Sequence, residues 1–387
     1  MNRFRFSTVA VLVCGSVCAA VFATGTPAAP PEFKKAEQVW PRNVNTRIAA
    51  FADLDGDGDL DGVFGSMWSP SLVLLNDGRG RFAASPQPLP DEMHAITMGD
   101  VDGDGDNDLF FAPIRQGGGA PLFLNDGHGR FVPAPLVFTD REESVALIDL
   151  DHDGDLDAYF PVSDRLYAND GRGRFEKREG LGFGPVGFCD LNGDRVVDAV
   201  SRTHVYLNDG RGRFTRSSAI PNGGPDSVSR VTFADVDRDG DSDVIALHVG
   251  RPSTVLLNDG AGVLKDSGQK LPGPRVFADW GFVAAADITG DGAPDLVITH
   301  RRDPAQVWVN DGKGTFIDSG VRLGDGEDND WSNCVLMDFD RDGDVDVFVT
   351  SRSFGNHGLW FNQLAERRGR AAERTGNLVT KSNGRVR

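Results

Sequence analysis

The chain has 387 residues, with 58 acidic against 40 basic side chains and a formal net charge of −18. With 39 % hydrophobic residues it is too apolar for an acidic disordered chain, and no nucleic-acid partner is expected. Length alone would suggest two or three domains, but a single repeat runs through nearly all of it.

Residues 1–23 read as a secretory signal. Arg3 and Arg5 supply the charged start, residues 7–22 are apolar apart from interruptions such as Gly15 and Ser16, and Val21-Phe22-Ala23 offers a small-residue cleavage site. The run is short for a membrane span, so no stable span is expected in the mature chain. Val13 and Val17, which precede Cys14 and Cys18, argue against lipid attachment. Export would place the protein outside the cell or in a periplasm, where calcium is plentiful.

A nine-residue acidic loop then recurs seven times. The first copy runs from Asp53 to Asp61, and the others begin at Asp100, Asp149, Asp190, Asp235, Asp287 and Asp338. Carboxylates recur at positions 1, 3, 5 and 9. Position 2 is always apolar, and position 6 is Gly except for Arg195 in the fourth copy. At an effective dielectric of about 20, two like charges roughly 4 Å apart repel by about 4 kcal/mol, so such a loop resists closing alone. Calcium removes that cost because it takes many oxygen ligands in irregular geometry. More than half of the 58 acidic residues lie in these loops, and seven such ions would offset most of the −18.

The loop opens like an EF-hand but cannot close as one. Position 12, where an EF-hand needs Glu, holds Phe64, Phe111, Phe160, Ser201, Ala246, Ile298 and Val349. Strand-like runs precede each loop, as at 47–52, and follow it, as at 244–247, so the loop is a hairpin turn between two strands. The loops start 41 to 52 residues apart, the period of a propeller blade. A second motif, Asn-Asp-Gly-x-Gly-x-Phe, begins at Asn76, Asn125, Asn169, Asn208 and Asn310, with a variant at Asn258 that ends in Leu264. Its Asn and Gly are read as the residues that accept the positive φ of a tight turn. Each blade therefore has four strands, A to D, with the acidic loop between A and B and the Asn-Asp-Gly turn between C and D. The seventh strand C, 359–362, has no strand D after it. Phe33, 20 residues before Asp53, is the expected replacement and would close the ring.

The repeats resemble the FG-GAP (VCBS) repeats of the integrin α-subunit head, over residues 33–362. The resemblance implies an all-β, seven-bladed β-propeller at 24–363; residues 364–387, rich in Arg and Lys with little apolar content, read as a basic, disordered tail. It also implies calcium held by side chains at positions 1, 3, 5 and 9, with a backbone carbonyl at position 7. In this chain the side chains are Asp53, Asp55, Asp57 and Asp61; Asp100, Asp102, Asp104 and Asp108; Asp149, Asp151, Asp153 and Asp157. The fourth and fifth sets are Asp190, Asn192, Asp194 and Asp198, then Asp235, Asp237, Asp239 and Asp243. The last two are Asp287, Thr289, Asp291 and Asp295, then Asp338, Asp340, Asp342 and Asp346. Asn192 and Thr289 depart from the pattern and predict weaker fourth and sixth sites.

The face opposite the loops, built from B–C and D–A connections, varies between blades and is the expected ligand face. Trp280 and Trp331 both stand seven residues before their loops, so neighbouring blades would present them side by side. With Asp279, Asp330, His300, Arg301 and Arg302 they make a candidate cleft for a sugar or polar peptide; alternatively the two rings cap the core. No Gly-x-Ser-x-Gly or His-Glu-x-x-His motif is present. The expected role is a non-catalytic adhesion or interaction scaffold with an extracellular protein or glycan as partner. A lectin, or a polysaccharide lyase or hydrolase that uses the scattered His and Arg, is the alternative. Cys189 and Cys334 fall nearly opposite each other in the ring and are expected to be buried fillers.

Overall fold

The structure is a computed structural model. It describes residues 30–367 apart from 39, 42–45, 67–68, 88, 91–92, 114–119, 139–143, 225–227, 249, 274–280, 325–330 and 353–355, together with 12–13. Seven antiparallel sheets form a closed ring. Their A strands are Thr46–Ala52, Met93–Gly99, Ala146–Ile148, Pro185–Cys189, Val228–Ala234, Phe282–Ala286 and Trp331–Met337. Leu12–Val13 lies parallel to Gly187 and Phe188 as a short additional strand on blade four.

The ring closes as the repeat count requires. Phe33–Lys35 pairs antiparallel with Gly358–Asn362, in the register Phe33 to Asn362, Lys34 to Phe361 and Lys35 to Trp360. Five residues on, Trp40 is 5 % exposed and packs against Phe64, Phe82 and Phe348, so the N-terminal segment is locked by an aromatic anchor as well as by backbone pairing. The boundary at the other end moves: residues 364–367 form a helical turn, and Arg367 Nη1 donates to the Pro30 carbonyl at 2.9 Å. Any tail begins after that turn.

The blades pack face to face, and one apolar cluster fills each of the seven junctions. Strand B is covered on both faces, and Asp61–Ser66, Asp243–His248 and Asp346–Ser351 are buried at every residue. That is why these strands read as continuous apolar runs instead of alternating. The position-2 residues of the loops, Leu54, Val101, Leu150, Leu191, Val236, Ile288 and Phe339, are each at most 1 % exposed and join the cluster shared with the next blade. Each such burial contributes about 1.5–3 kcal/mol, so the loop is tied into the core by its second residue. Cys189 and Cys334 are buried thiols in two of these clusters.

Candidate functional site

Each acidic loop is folded by its own carboxylates. Asp53 accepts the Gly56 and Gly58 N–H groups at 2.8 and 2.9 Å, and Asp100 accepts those of Gly103 and Gly105 at the same distances. Asp57 accepts the Asp59 N–H at 2.8 Å. Positions 4 and 6 both take the left-handed conformation. Where they are not glycine, His152, Arg238 and Arg341 at position 4 and Arg195 at position 6 still show φ between 61° and 68°. The Arg195 N–H bonds to Asp190 Oδ2 at 2.8 Å, so the fourth loop keeps the common shape despite losing its glycine.

An L-residue in this conformation costs about 1–2 kcal/mol, partly offset by the entropy glycine loses on folding. Arg195→Gly is therefore expected to stabilise the chain by about 0.5–1 kcal/mol. Gly154→Ala, at the same position in the third loop with φ 95° and no atom within 4 Å of the added methyl, should do the reverse. Denaturant unfolding at fixed calcium would read both; a neutral Gly154→Ala would show that the loop relaxes freely.

Position 9 is structural as well as acidic. Asp61 is fully buried; its Oδ2 accepts the Leu54 N–H at 3.0 Å and its Oδ1 accepts the Asn76 N–H at 2.8 Å. The same pair of bonds recurs at Asp108, Asp157, Asp198, Asp243, Asp295 and Asp346. Burial pushes Asp61 up to about 6 and Asp346 up to about 8, only partly opposed by those N–H groups, with neighbouring loop carboxylates adding to the rise.

The Asn of the Asn-Asp-Gly motif has a different job from the one its sequence suggests. The positive φ values fall on the glycines, such as Gly78 and Gly80, and not on Asn76. Asn76 Nδ2 instead crosses to the preceding blade and donates to the Phe339 carbonyl at 2.9 Å, position 2 of the seventh loop. Asn125 reaches Leu54, Asn169 Val101, Asn208 Leu150, Asn258 Leu191, Asn310 Val236 and Asn362 Ile288, all at 2.8–2.9 Å. Every loop is thus latched to the next blade by a buried amide. Arg341 adds a further clasp from the seventh loop to Asp59 of the first at 2.5 Å, and Arg238 reaches Asp291 of the sixth loop at 3.2 Å.

The donor set fits a hard divalent cation. One carboxylate oxygen from each of Asp53, Asp55 and Asp57 lies within 4.8 Å of the others. The same holds for Asp149, Asp151 and Asp153, for Asp235, Asp237 and Asp239, and, with position 9 included, for Asp100, Asp102 and Asp108 and for Asp338, Asp340 and Asp346. At position 3 the Oδ1 atoms of Asp102, Asp151, Asp237 and Asp340 are buried without a hydrogen-bond partner, as is the Thr289 hydroxyl. A buried oxygen left unpaired is costly unless something positive meets it. Asn192 uses its amide on Asp194 at 2.9 Å, which leaves the fourth loop the most self-satisfied of the seven at this position.

On the opposite face the sequence reading is corrected. Trp331 is 2 % exposed, stands edge-on to Trp360 at 6.1 Å, and donates Nε1–H to the Asp303 carbonyl at 2.9 Å. It caps the core between blades six and seven and presents no stacking face. His300 is 4 % exposed, so it too is core; Arg301 is half-buried and Arg302 exposed. Trp280, Asp279 and Asp330 lie outside the described residues. His248 and His357 are also buried, and both secure B–C turns. His248 bonds Thr254 Oγ1 at 2.9 Å, and His357 Nδ1 accepts the Ser351 N–H at 3.0 Å.

His357 Nε2 also bonds Thr46 Oγ1 of blade one at 3.2 Å, and burial pushes its pKa from 6.5 down to about 4. Its depressed value means its contribution is complete above pH 6.5 and is lost as pH falls toward 4. The stability advantage of the native chain over His357→Gln should shrink by about 1.4 kcal/mol per pH unit across that window. Parallel pH profiles of the two proteins would refute a buried neutral His357.

Glutamine supplies a clasp that the sequence reading missed. Gln38, Gln87 and Gln269 each follow a strand-D Phe or Leu by five residues. Each bonds the backbone N–H of the corresponding residue in the next blade, Phe82, Phe131 or Phe316, at 2.9–3.1 Å. The fixed spacing was the available signal.

Acidic A–B loops latched around a seven-bladed ring define a repeat propeller with one carboxylate-rich hairpin per blade. The FG-GAP-like repeat model matches residues 53–111, 100–160, 190–246 and 287–349, more than half of the chain. The chain belongs to the FG-GAP-like repeat family. No curated protein matches it in sequence. In fold it is similar to the BP39L lectin from Burkholderia pseudomallei, with a TM-score of 0.61 at 13 % identity, covering 82 % of this chain and 96 % of that one. It is also similar to a catalytically inactive virginiamycin B lyase from Staphylococcus aureus, with a TM-score of 0.56 at 12 % identity, covering 85 % and 99 %. At such identities the likeness concerns the fold alone.

Proposed function

We propose that this chain is a secreted, calcium-binding propeller that works as a non-catalytic interaction scaffold, with its ligand face opposite the acidic loops. The observation that carries the calcium part is the set of converging loop carboxylates with unpaired buried oxygens at position 3. Calcium would supply charge neutralisation and cross-linking within each loop, and loop residues at positions 1, 3, 5 and 9 would hold it. Among the described residues no helix is long and apolar enough to cross a membrane. The signal-like residues 1–23 support export.

The ligand would be an extracellular protein or a glycan. Exposed Arg302 remains available for it, whereas Arg251 is engaged by the Asn222 carbonyl and His248 Nδ1, and Trp331 and His300 are buried. The burial of His248, His300 and His357 also weakens the lyase or hydrolase reading, since a proton-transfer group must reach its substrate. A lectin role is the second reading, supported by the shared fold with a bacterial lectin. A glycan array probed with the calcium-loaded chain tests both. A sugar hit abolished by Arg302→Ala supports the lectin, and the absence of any hit that depends on Arg302, together with capture of an extracellular protein, supports the scaffold. Turnover of a polysaccharide would overturn the non-catalytic assignment.

A further inference from the structure

The Asn-Asp-Gly turns carry a charge pattern that the fold does not require. The residue just before the strand-D Phe is Arg81, Arg130, Arg174 and Arg213 in blades one to four, all exposed. At the same position blades five and six have Val263 and Thr315. The turn itself is the same in all six. The Asp after the Asn accepts the N–H two residues on, at 3.1 Å for Asp77 and 3.0 Å for Asp259, and the two glycines keep φ between 67° and 77°. A turn built equally well with Val263 does not need a guanidinium there. Four consecutive blades therefore hold an exposed arginine at the same position of the turn, one per blade, and Arg81 pairs with Asp77 of its own turn.

Grooves lie beside two of these arginines. One of about 450 Å³ runs between the closing strand and blade one, with Lys34, Lys35 and Arg81 on its walls. The next, of about 590 Å³, runs between blades one and two, with Gln87 and Arg130 on its walls. Both have the same construction: strand D of one blade faces the Asn-Asp-Gly turn of the next. A site that repeats at blade intervals suits a ligand that repeats as well.

We propose that this basic rim, on the side of the ring that carries the acidic loops, binds a linear anionic polysaccharide. Its carboxylate or sulfate groups would meet successive arginines. Guanidinium groups pair bidentately with both anions. Single-stranded nucleic acid is a poorer fit, because among the described residues the large exposed apolar side chains, Val132, Val162, Val263 and Ile317, are not aromatic, and Phe361 in the first groove is only partly exposed. A flat anionic membrane laid on this side would also meet the position-7 carboxylates beside these turns, such as Asp106 and Asp155, which are not among the proposed calcium ligands.

The test uses the full chain in millimolar calcium, titrated with hyaluronate, dextran sulfate and uncharged dextran. The native chain should bind one or both charged polymers, with affinity that falls steeply with added salt, and should ignore dextran. Replacing Arg81, Arg130, Arg174 and Arg213 by Thr, the residue blade six already uses, should weaken binding by about tenfold or more at an unchanged melting temperature. Val263→Arg with Thr315→Arg extends the arc to blades five and six and should tighten binding, which keeps the proposal decidable if the fourfold variant folds poorly. No binding of either charged polymer, equal binding by the fourfold variant, or tighter binding of single-stranded DNA or anionic vesicles would each overturn it.

Discussion

Excess chelator is expected to lower the melting temperature of this chain by tens of degrees, with magnesium restoring little of it. Each loop carries three or four carboxylates, in loops two, three, five and seven the position-3 Oδ1 is buried without a hydrogen-bond partner, and position 9 is buried in the same loop. A site held at about 100 times its dissociation constant contributes roughly 2.7 kcal/mol to the folded state. Several such sites together exceed the roughly 5–15 kcal/mol by which a typical domain is stable. The effect should spread beyond the loops, because the position-2 carbonyl of each loop accepts the amide of the next blade. Magnesium prefers a stricter octahedron and keeps its water, so it should substitute poorly. Thermal melts in calcium, magnesium and chelator decide the matter; superimposable curves would remove calcium from the account of this protein.

The second large effect concerns the seam of the ring. A chain that starts at residue 41 instead of residue 24 should aggregate or lose several kcal/mol of stability. It forfeits the pairing of Phe33–Lys35 and leaves Gly358–Asn362 as an open, apolar sheet edge. It also loses Trp40, and emptying a buried site of that size typically costs about 3–5 kcal/mol. Removing 368–387, a basic stretch with few apolar groups, should leave the melting curve in place. If the two truncations behave alike in melting and light scattering, the N-terminal strand is not what holds the ring shut.

The fold was legible because it is periodic. Seven loops, six Asn-Asp-Gly turns and an orphan strand C predict both the blade count and the closing partner of residues 359–362. The acidic positions were legible for the same reason. What did not show were contacts that leave the repeat. Asn125 looks like a turn residue because its turn is local, yet the bond that explains it ends on Leu54, in the previous blade. The scattered histidines were read as groups that a ligand or substrate could reach, yet His248 and His357 are buried. A single histidine carries no periodicity, and nothing in its neighbours tells whether a short turn folds it inward onto Thr254 or Thr46. Trp331 was weighed as both ligand platform and core cap, and its bond to the Asp303 carbonyl decides for the core.

The amide latches have one further consequence. The bond from Asn76 to the Phe339 carbonyl joins residues 263 apart in sequence, yet at 2.9 Å it is indistinguishable from the six that join adjacent repeats. By this measure the ring has no first and last member. Its natural ends are marked only by where the chain happens to be cut, inside the sheet of blade seven. A circularly permuted chain, with residues 33 and 362 joined through a designed turn and new termini opened between two other blades, would keep all seven latches and every apolar junction. Such a molecule should fold to the same ring, and the same equivalence gives duplication or loss of a whole blade a ready-made interface on either side.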